Sequence, residues 1–318
     1  MKFRTELKKT EIPFDINHKH QLLLMGSCFS DNIAEKLNYY KFNTLNNPFG
    51  ILYNPISINK LINDVVAHNY PEKSSFIKKN ELWHHFDYHS NMSGVYLNEV
   101  SKRINILIDA TGEYLQTCDY IFITYGTAIV HKRIDTGEIV ANNHKFPSDY
   151  FVKSRLSIEE ITKSAKETLN NIKSINPNAK IIFTISPVRH IKEGMIENQR
   201  SKAVLHLAIE KLVDKFSTFY FPSYELLLDD LRDYRYYSYD LVHPSDSALE
   251  YIWEKFSNTF FNNSTLLKIV EIEKILKSIY HKPFNKNTKS YLDFVSKLNQ
   301  KIKEFKLHNP HISFEPVQ

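Results

Sequence analysis

Four short apolar runs set the limits on how this chain can fold. "LLLM" (22–25), "YIFITY" (120–125), "KIIFTIS" (180–186) and the weaker "TFYFP" (218–222) are apolar at successive positions, not alternate ones. A strand that is apolar on both pleat faces must be covered on both, as in a parallel sheet between helical layers. The stretches between the runs carry helical periodicity. Residues 157–173 place Ile158, Ile161, Ala165, Leu169 and Ile172 on one stripe, with Ser157 and Glu160 spaced as a capping box at its start. Residues 198–216 and 245–260 read as two further helices. Strand, helix, strand in repetition predicts an α/β fold with right-handed crossovers.

Two stretches break the rhythm and read as insertions. "FIKKNELWHHFDYH" (76–89) predicts a hairpin turning at Lys79-Asn80, and residues 128–145 predict another around Asp135-Thr136-Gly137. Toward the C-terminus, Tyr291, Phe294, Val295, Leu298, Ile302 and Phe305 fall at helical spacing. The expected organisation is an α/β domain over 1–262, with insertions near 76–96 and 128–150, and a helical extension over 263–318 packed on it.

Charge and cysteine usage exclude several classes. The net charge of +5 comes from scattered lysines and arginines without a basic stripe, which argues against a nucleic-acid partner. Two cysteines, Cys28 and Cys118, do not form a disulfide framework in 318 residues. The first twenty residues lack the apolar core of a signal peptide, and no run reaches the ~18 apolar residues of a membrane span. A cytoplasmic protein with free thiols is expected. The histidines and acids show no metal-ligand spacing, so neither metal nor cofactor is expected.

Chemistry concentrates at two junctions. In "LLLMGSCFSDNIAEKL" (22–37), a strand runs through Gly26-Ser27-Cys28 straight into a helix. The helix N-terminus favours negative charge there, which predicts a thiol biased toward the thiolate. In "DLVHP" (240–244), an Asp three residues before a His can turn back onto Nδ1 and leave Nε2 free as a base. His190 and His144 are rival bases without an Asp at that spacing. Arg189 is a candidate clamp for a substrate carboxylate or phosphate, and Cys118 reads as inert core.

Taken together and in order, "GSCFS", "NPFGILYNP" (47–55), "TYGTA" (124–128), "SPVRH" (186–190) and "DLVHPS" (240–245) resemble the GSCFA family, a bacterial branch similar to the SGNH/GDSL hydrolases. The resemblance implies a three-layer α/β/α sandwich of flavodoxin-like topology. It implies Cys28 as nucleophile, with Ser27 as the alternative, His243 as base or as thiolate ion-pair partner, and Asp240 as its orienting acid. The oxyanion donors implied are the Cys28 and Gly50 N–H groups. The Asn that the SGNH/GDSL hydrolases carry two residues after the glycine matched by Gly126 is replaced here by Ala128, so Asn142 or Asn143 would have to supply the amide, unless they only hold the hairpin turn. Gly126, Thr127, Arg189 and His190 are the implied substrate-binding residues. The activity implied is ester hydrolysis or acyl transfer through an acyl-enzyme, on a small-molecule or glycan ester such as acylated carbohydrate or cell-envelope material. A non-catalytic ligand-binding domain with the same fold is the alternative.

Overall fold

The computed structural model describes residues 4–213 and 218–314. Its centre is a parallel sheet of five strands: β1 (Gln21–Gly26), β2 (Asn43–Asn46), β5 (Tyr120–Tyr125), β9 (Lys180–Ile185) and β10 (Thr218–Phe221), in spatial order β10-β9-β5-β1-β2. All pairings are parallel, with Leu23 opposite Ile121 and Ile121 opposite Ile181 in the centre. Numbered along the chain, the order is 2-1-3-4-5, and ligand sites in such sheets lie where the order reverses, here between β1 and β5.

Both faces are buried, as the unbroken apolar runs predict. Leu23, Met25, Ile121, Ile123, Ile181 and Phe183 pack under α2 (Pro55–Val66), α3 (Leu97–Thr117), α4 (Ile158–Ile175) and α5 (Met195–Glu210). Leu22, Leu24, Phe122, Ile182 and Phe221 face α1 (Cys28–Tyr39) and α7 (Asp246–Phe260). The result is the expected three-layer α/β/α sandwich. The α4 capping box is formed in both directions, Ser157 Oγ accepting from Glu160 N–H and Glu160 accepting from Ser157 N–H. The helix expected over 198–216 begins earlier, and its residues 214–216 lie outside the described residues.

The insertions form two small sheets. The first hairpin pairs β3 (Ile77–Lys79) with β4 (Leu82–His84). Its turn is Asn80-Glu81, one residue later than expected, and both residues have positive φ (47° and 65°), the geometry two-residue hairpins favour. The second, with its turn around Gly137, joins β6 (Ile129–Arg133) to β7 (Ile139–Val140), and β8 (Phe151–Arg155) adds to the other side of β6. A three-residue α6 (Ser223–Glu225) runs into a π-helical stretch at Leu226–Leu231. α8 (Asn263–Ile279) and α9 (Lys289–His308) share a small cluster of Ile272, Ile275, Leu276, Leu298, Phe305 and Ile312. Among the described residues no helix is long and apolar enough to cross a membrane.

Candidate active site

The β1–α1 junction is fixed by close backbone packing. Gly26 has φ +135°, and a Cβ there would stand 2.1 Å from Thr124 O. Only glycine lets β1 lie this near β5 while turning so sharply. The Gly26 N–H donates to Asn47 Oδ1 (2.8 Å), and Asp31 Oδ1 accepts from the side-chain amides of Asn46 and Asn47. Ser27 is the N-cap of α1, fully buried; its Oγ accepts from Phe29 N–H and its N–H donates to Thr124 O. The alternative nucleophile is therefore committed to the turn. Cys28, at the first helical position, is half-buried.

The electrostatics of Cys28 run against the sequence expectation. The N–H groups of Cys28 and Phe29 favour the thiolate, but burial, aided by Asp31, pushes the thiol pKa up. Removing water from a charged sulfur outweighs the helix N-terminus here. Cys118 is buried and pushed to about 12, chiefly by burial.

The second junction, between β10 and α7, holds the acid and the imidazole. Asp240 Oδ2 accepts from His243 Nδ1 at 2.6 Å, while Oδ1 accepts from the N–H groups of Val242 (2.9 Å) and His243 (3.0 Å). Hydrogen bonds from the His243 backbone and ring and from Val242 hold the Asp240 carboxyl down at about 2. With Nδ1 engaged, Nε2 is the imidazole nitrogen left for chemistry. Leu241 takes φ +57° to close the turn. Both side chains are about half exposed (Asp240 48%, His243 50%).

Arg189 does not stand free as a clamp. Its N–H donates to Val242 O (3.2 Å), its Nη1 reaches Leu241 O (3.5 Å), and its guanidinium lies 4.0 Å from the Tyr237 ring centre. It ties the loop after β9 to the Asp240–His243 loop. His190 packs edge-on against Tyr53 (5.3 Å), and its Nε2 is buried with no partner among the described residues. Burial first, then Lys202 and His243, pushes its pKa down to about 3, so it is neutral. Tyr53 also feels Cys28. Tyr53 and His190 are thus in contact, the first influenced by Cys28 and the second by His243.

Of the expected oxyanion donors, the Gly50 N–H is taken by the backbone, while the two asparagines hold their loop chiefly through Oδ1. Gly50, at φ +82°, donates its N–H to Asn47 O (2.8 Å). Asn142 donates to Ser90 Oγ and accepts from His144 N–H, and Asn143 accepts from Lys145 N–H. Through Oδ1 both brace the loop between β7 and β8 and not the β6–β7 hairpin turn, and both line a cavity of about 450 Å³ with Tyr53, Thr127, Arg189, His190 and Val242. Neither Cys28 nor His243 is among the residues lining it. The Gly126 and Thr127 N–H groups both donate to Tyr53 O. His144 bonds Ser90 and the His85 carbonyl within the insertions, and burial holds it at about 4. Among the described residues no cluster of His, Cys, Asp and Glu is placed to hold a metal ion.

The profile of the GSCFA family matches residues 21–256, from the first core strand into α7. The chain belongs to the GSCFA family. A second profile, the GSCFA domain protein C-terminal domain, matches residues 272–317. No curated protein matches the sequence. Among solved structures, this GSCFA chain is similar to a carbohydrate esterase family 3 protein from Talaromyces cellulolyticus, at 9% identity over 79% of this chain and 99% of that one, TM-score 0.38. It is also similar to a mutant acetyl esterase with a bound acetate ion (8% identity, 80% and 99%, TM-score 0.37) and to an acetyl xylan esterase from the rumen bacterium Butyrivibrio proteoclasticus (13%, 64% and 55%, TM-score 0.31). These likenesses are too remote to assign a role to any residue of the GSCFA chain.

Two members of the site's surroundings escape a reading of the sequence. Tyr53 looks like any loop aromatic, and the backbone bonds that place it arise only in the fold. Lys202 looks like a solvated lysine, yet it lies on the stripe Asn198, Ser201, Lys202, Leu205 and Ile209, the buried face of α5. That stripe was the available signal.

Proposed function

We propose that this protein is an ester hydrolase or acyltransferase that works through an acyl group carried on Cys28. The observation that carries the reading is the three-fold grip of Asp240 on His243 Nδ1 and on two backbone N–H groups. A loop built only for shape has no need of an imidazole held in one tautomer with Nε2 free. His243 Nε2 takes the Sγ proton as sulfur attacks the acyl carbon, and the negative charge moves to the carbonyl oxygen. Collapse breaks the ester C–O bond, and the alcohol leaves with the proton from Nε2. Water or a second acceptor then repeats the sequence on the thioester. Because burial keeps the resting thiol protonated, His243 serves as a general base during attack, in preference to a resting ion-pair partner. The Cys28 N–H at the start of α1 is the oxyanion donor this reading keeps.

A screen of small acyl esters and thioesters with wild type, Cys28→Ala and His243→Ala tests this. Turnover lost in both variants supports it. Ester turnover that survives in Cys28→Ala, or no acylation of Cys28 by any reactive thioester, overturns it. The raised thiol favours a second reading, a binding domain that kept the fold and cavity, and the second result is the one it expects.

A further inference from the structure

Asp31 lies one turn along α1 from Cys28. Residues at i and i+3 share a helix face, with Cβ atoms roughly 5–6 Å apart. The carboxylate is held through one oxygen only. Oδ1 accepts from the side-chain amides of Asn46 (2.6 Å) and Asn47 (2.7 Å), and Asn47 Oδ1 accepts from the Gly26 N–H (2.8 Å). Asn47 makes this bridge with its backbone at φ +38°, where Asn is among the few side chains tolerated. Among the described residues Oδ2 accepts no hydrogen bond, and no Lys, Arg or His pairs with Asp31. Asn46 Oδ1, at the carboxyl end of β2, is also buried without a partner. Its amide cannot flip to find one, because Oδ1 would then face the carboxylate that Nδ2 now serves. Two acceptors beside the β1–α1 junction thus stand without donors, and such acceptors suit a ligand that brings positive charge or N–H and O–H groups.

We propose that Asp31 sets the charge selectivity of the Cys28 site, favouring cationic and neutral donor-bearing ligands beside the sulfur and turning away anionic ones. A helix N-terminus without an acid of its own invites anions. Here the first turn of α1 carries its own carboxylate, and a ligand anion arriving at Cys28 meets repulsion. The bearing on substrate rests on the acyl-transfer reading above: the acyl acceptors it implies are amines and alcohols, in preference to carboxylates and phosphates. The selectivity itself does not depend on that reading.

The other groups that act on the sulfur do not cancel this. Asp31 influences the thiol more than Lys202 does, and in the opposite sense. Lys202 is 1% exposed on α5 and donates from Nζ to Gly126 O (2.7 Å), Ser186 O (2.7 Å) and Val188 O (3.0 Å). Burial brings it down to about 7, so at neutral pH it holds only part of its charge. Tyr53 is pushed up by burial first, then by Cys28 and Asp31, and is a neutral phenol at that pH. The carboxylate on the helix face of Cys28 therefore sets the sign.

The test uses two methanethiosulfonates that modify the same thiolate, one carrying a trimethylammonium group and the other a sulfonate. The ratio of their rates at Cys28 cancels the ionisation of the thiol and reports the local potential; it is read at the peptide level so that Cys118 is scored apart. In wild type the cation-over-anion ratio should exceed that of free mercaptoethanol. In Asp31→Asn, whose amide oxygen can still accept from Asn46 and Asn47, the ratio should fall roughly tenfold, the change for the two signs together at ~6 Å in the dielectric of water. A merely structural role for Asp31 would move both rates alike. An unchanged ratio in Asp31→Asn, with folding read by circular dichroism, overturns the proposal. A second measurement needs no variant. The wild-type ratio should shrink toward the free-thiol value in about 1 M salt, where charges are screened beyond ~3 Å, and a wild-type ratio at or below the free-thiol value in dilute buffer also overturns the proposal. Neither readout uses an ester, so failure to find turnover would defeat the enzymatic reading and leave this one standing.

Discussion

Asp240 and His243 are three residues apart, and everything that joins them is local. That is why the pair was legible: a carboxylate at i and an imidazole at i+3 meet within one turn whatever the remote packing does. Asp240→Asn should leave the fold intact and reduce turnover by ~10⁴, the effect of losing the imidazole's orientation in a serine protease triad. Steady-state kinetics beside circular dichroism measures both. The depressed Asp240 pKa works in the same direction. Its hold on the loop is complete above the unfolded carboxyl range and is lost only as pH falls toward about 2, so any acid limb of activity between pH 4 and 7 must have another origin. The ionisation of Cys28 was not legible, because it is set by the depth of burial and by Asp31 and Lys202. Wild-type alkylation of Cys28 should rise about tenfold per pH unit and level off above the ~8.5 of a free thiol. A plateau already reached at pH 7 would show that the helix N-terminus prevails after all.

Local elements with strong chemistry could be read directly: the doubly apolar strands, the α4 capping box and the Gly137 turn. The edge strand β2 could not, because "NTLN" has no apolar run and is held by its register against β1. Nor could the roles of Gly50, Asn142 and Arg189, whose donors are claimed by neighbours that only the folded chain brings near. The strand–helix joint at Gly26 sits between these cases. Its glycine was conspicuous, but the Thr124 carbonyl against it was not. Gly26→Ala should destabilise by at least ~3 kcal/mol, since a Cβ must displace backbone and take a φ that L residues avoid. Denaturant unfolding measures this. A loss under 1 kcal/mol would mean that β1 and β5 separate easily, and the site would then lack the rigid floor that positions Cys28.

On the scale of the whole chain, the hydrophobic interior falls into separate bodies. Two clusters clothe the faces of the sheet, and a third, built from α8, α9 and Ile312, stands beside them. Tyr40 packs against both the third cluster and the α1–α7 face, where it stacks on Trp253 at 5.6 Å. The third body holds no member of the candidate site. Its small core should therefore open without opening the sheet. Phe305 tests this, because it is 3% exposed and lies 5.5 Å from Phe314 at the heart of that cluster. Phe305→Ala should cost ~3–5 kcal/mol of local stability through lost burial and the cavity left behind. Cys118 reports on the sheet, being 1% exposed beneath the α2–α5 layer. Hydrogen exchange in Phe305→Ala should rise across residues 263–314 while Cys118 stays protected from alkylation and Cys28 reacts at its wild-type rate. If Cys118 becomes reactive in step with exchange in α8 and α9, the bodies unfold as one cooperative unit, and the contacts made through Tyr40 couple the C-terminal helices to the sheet that carries the site.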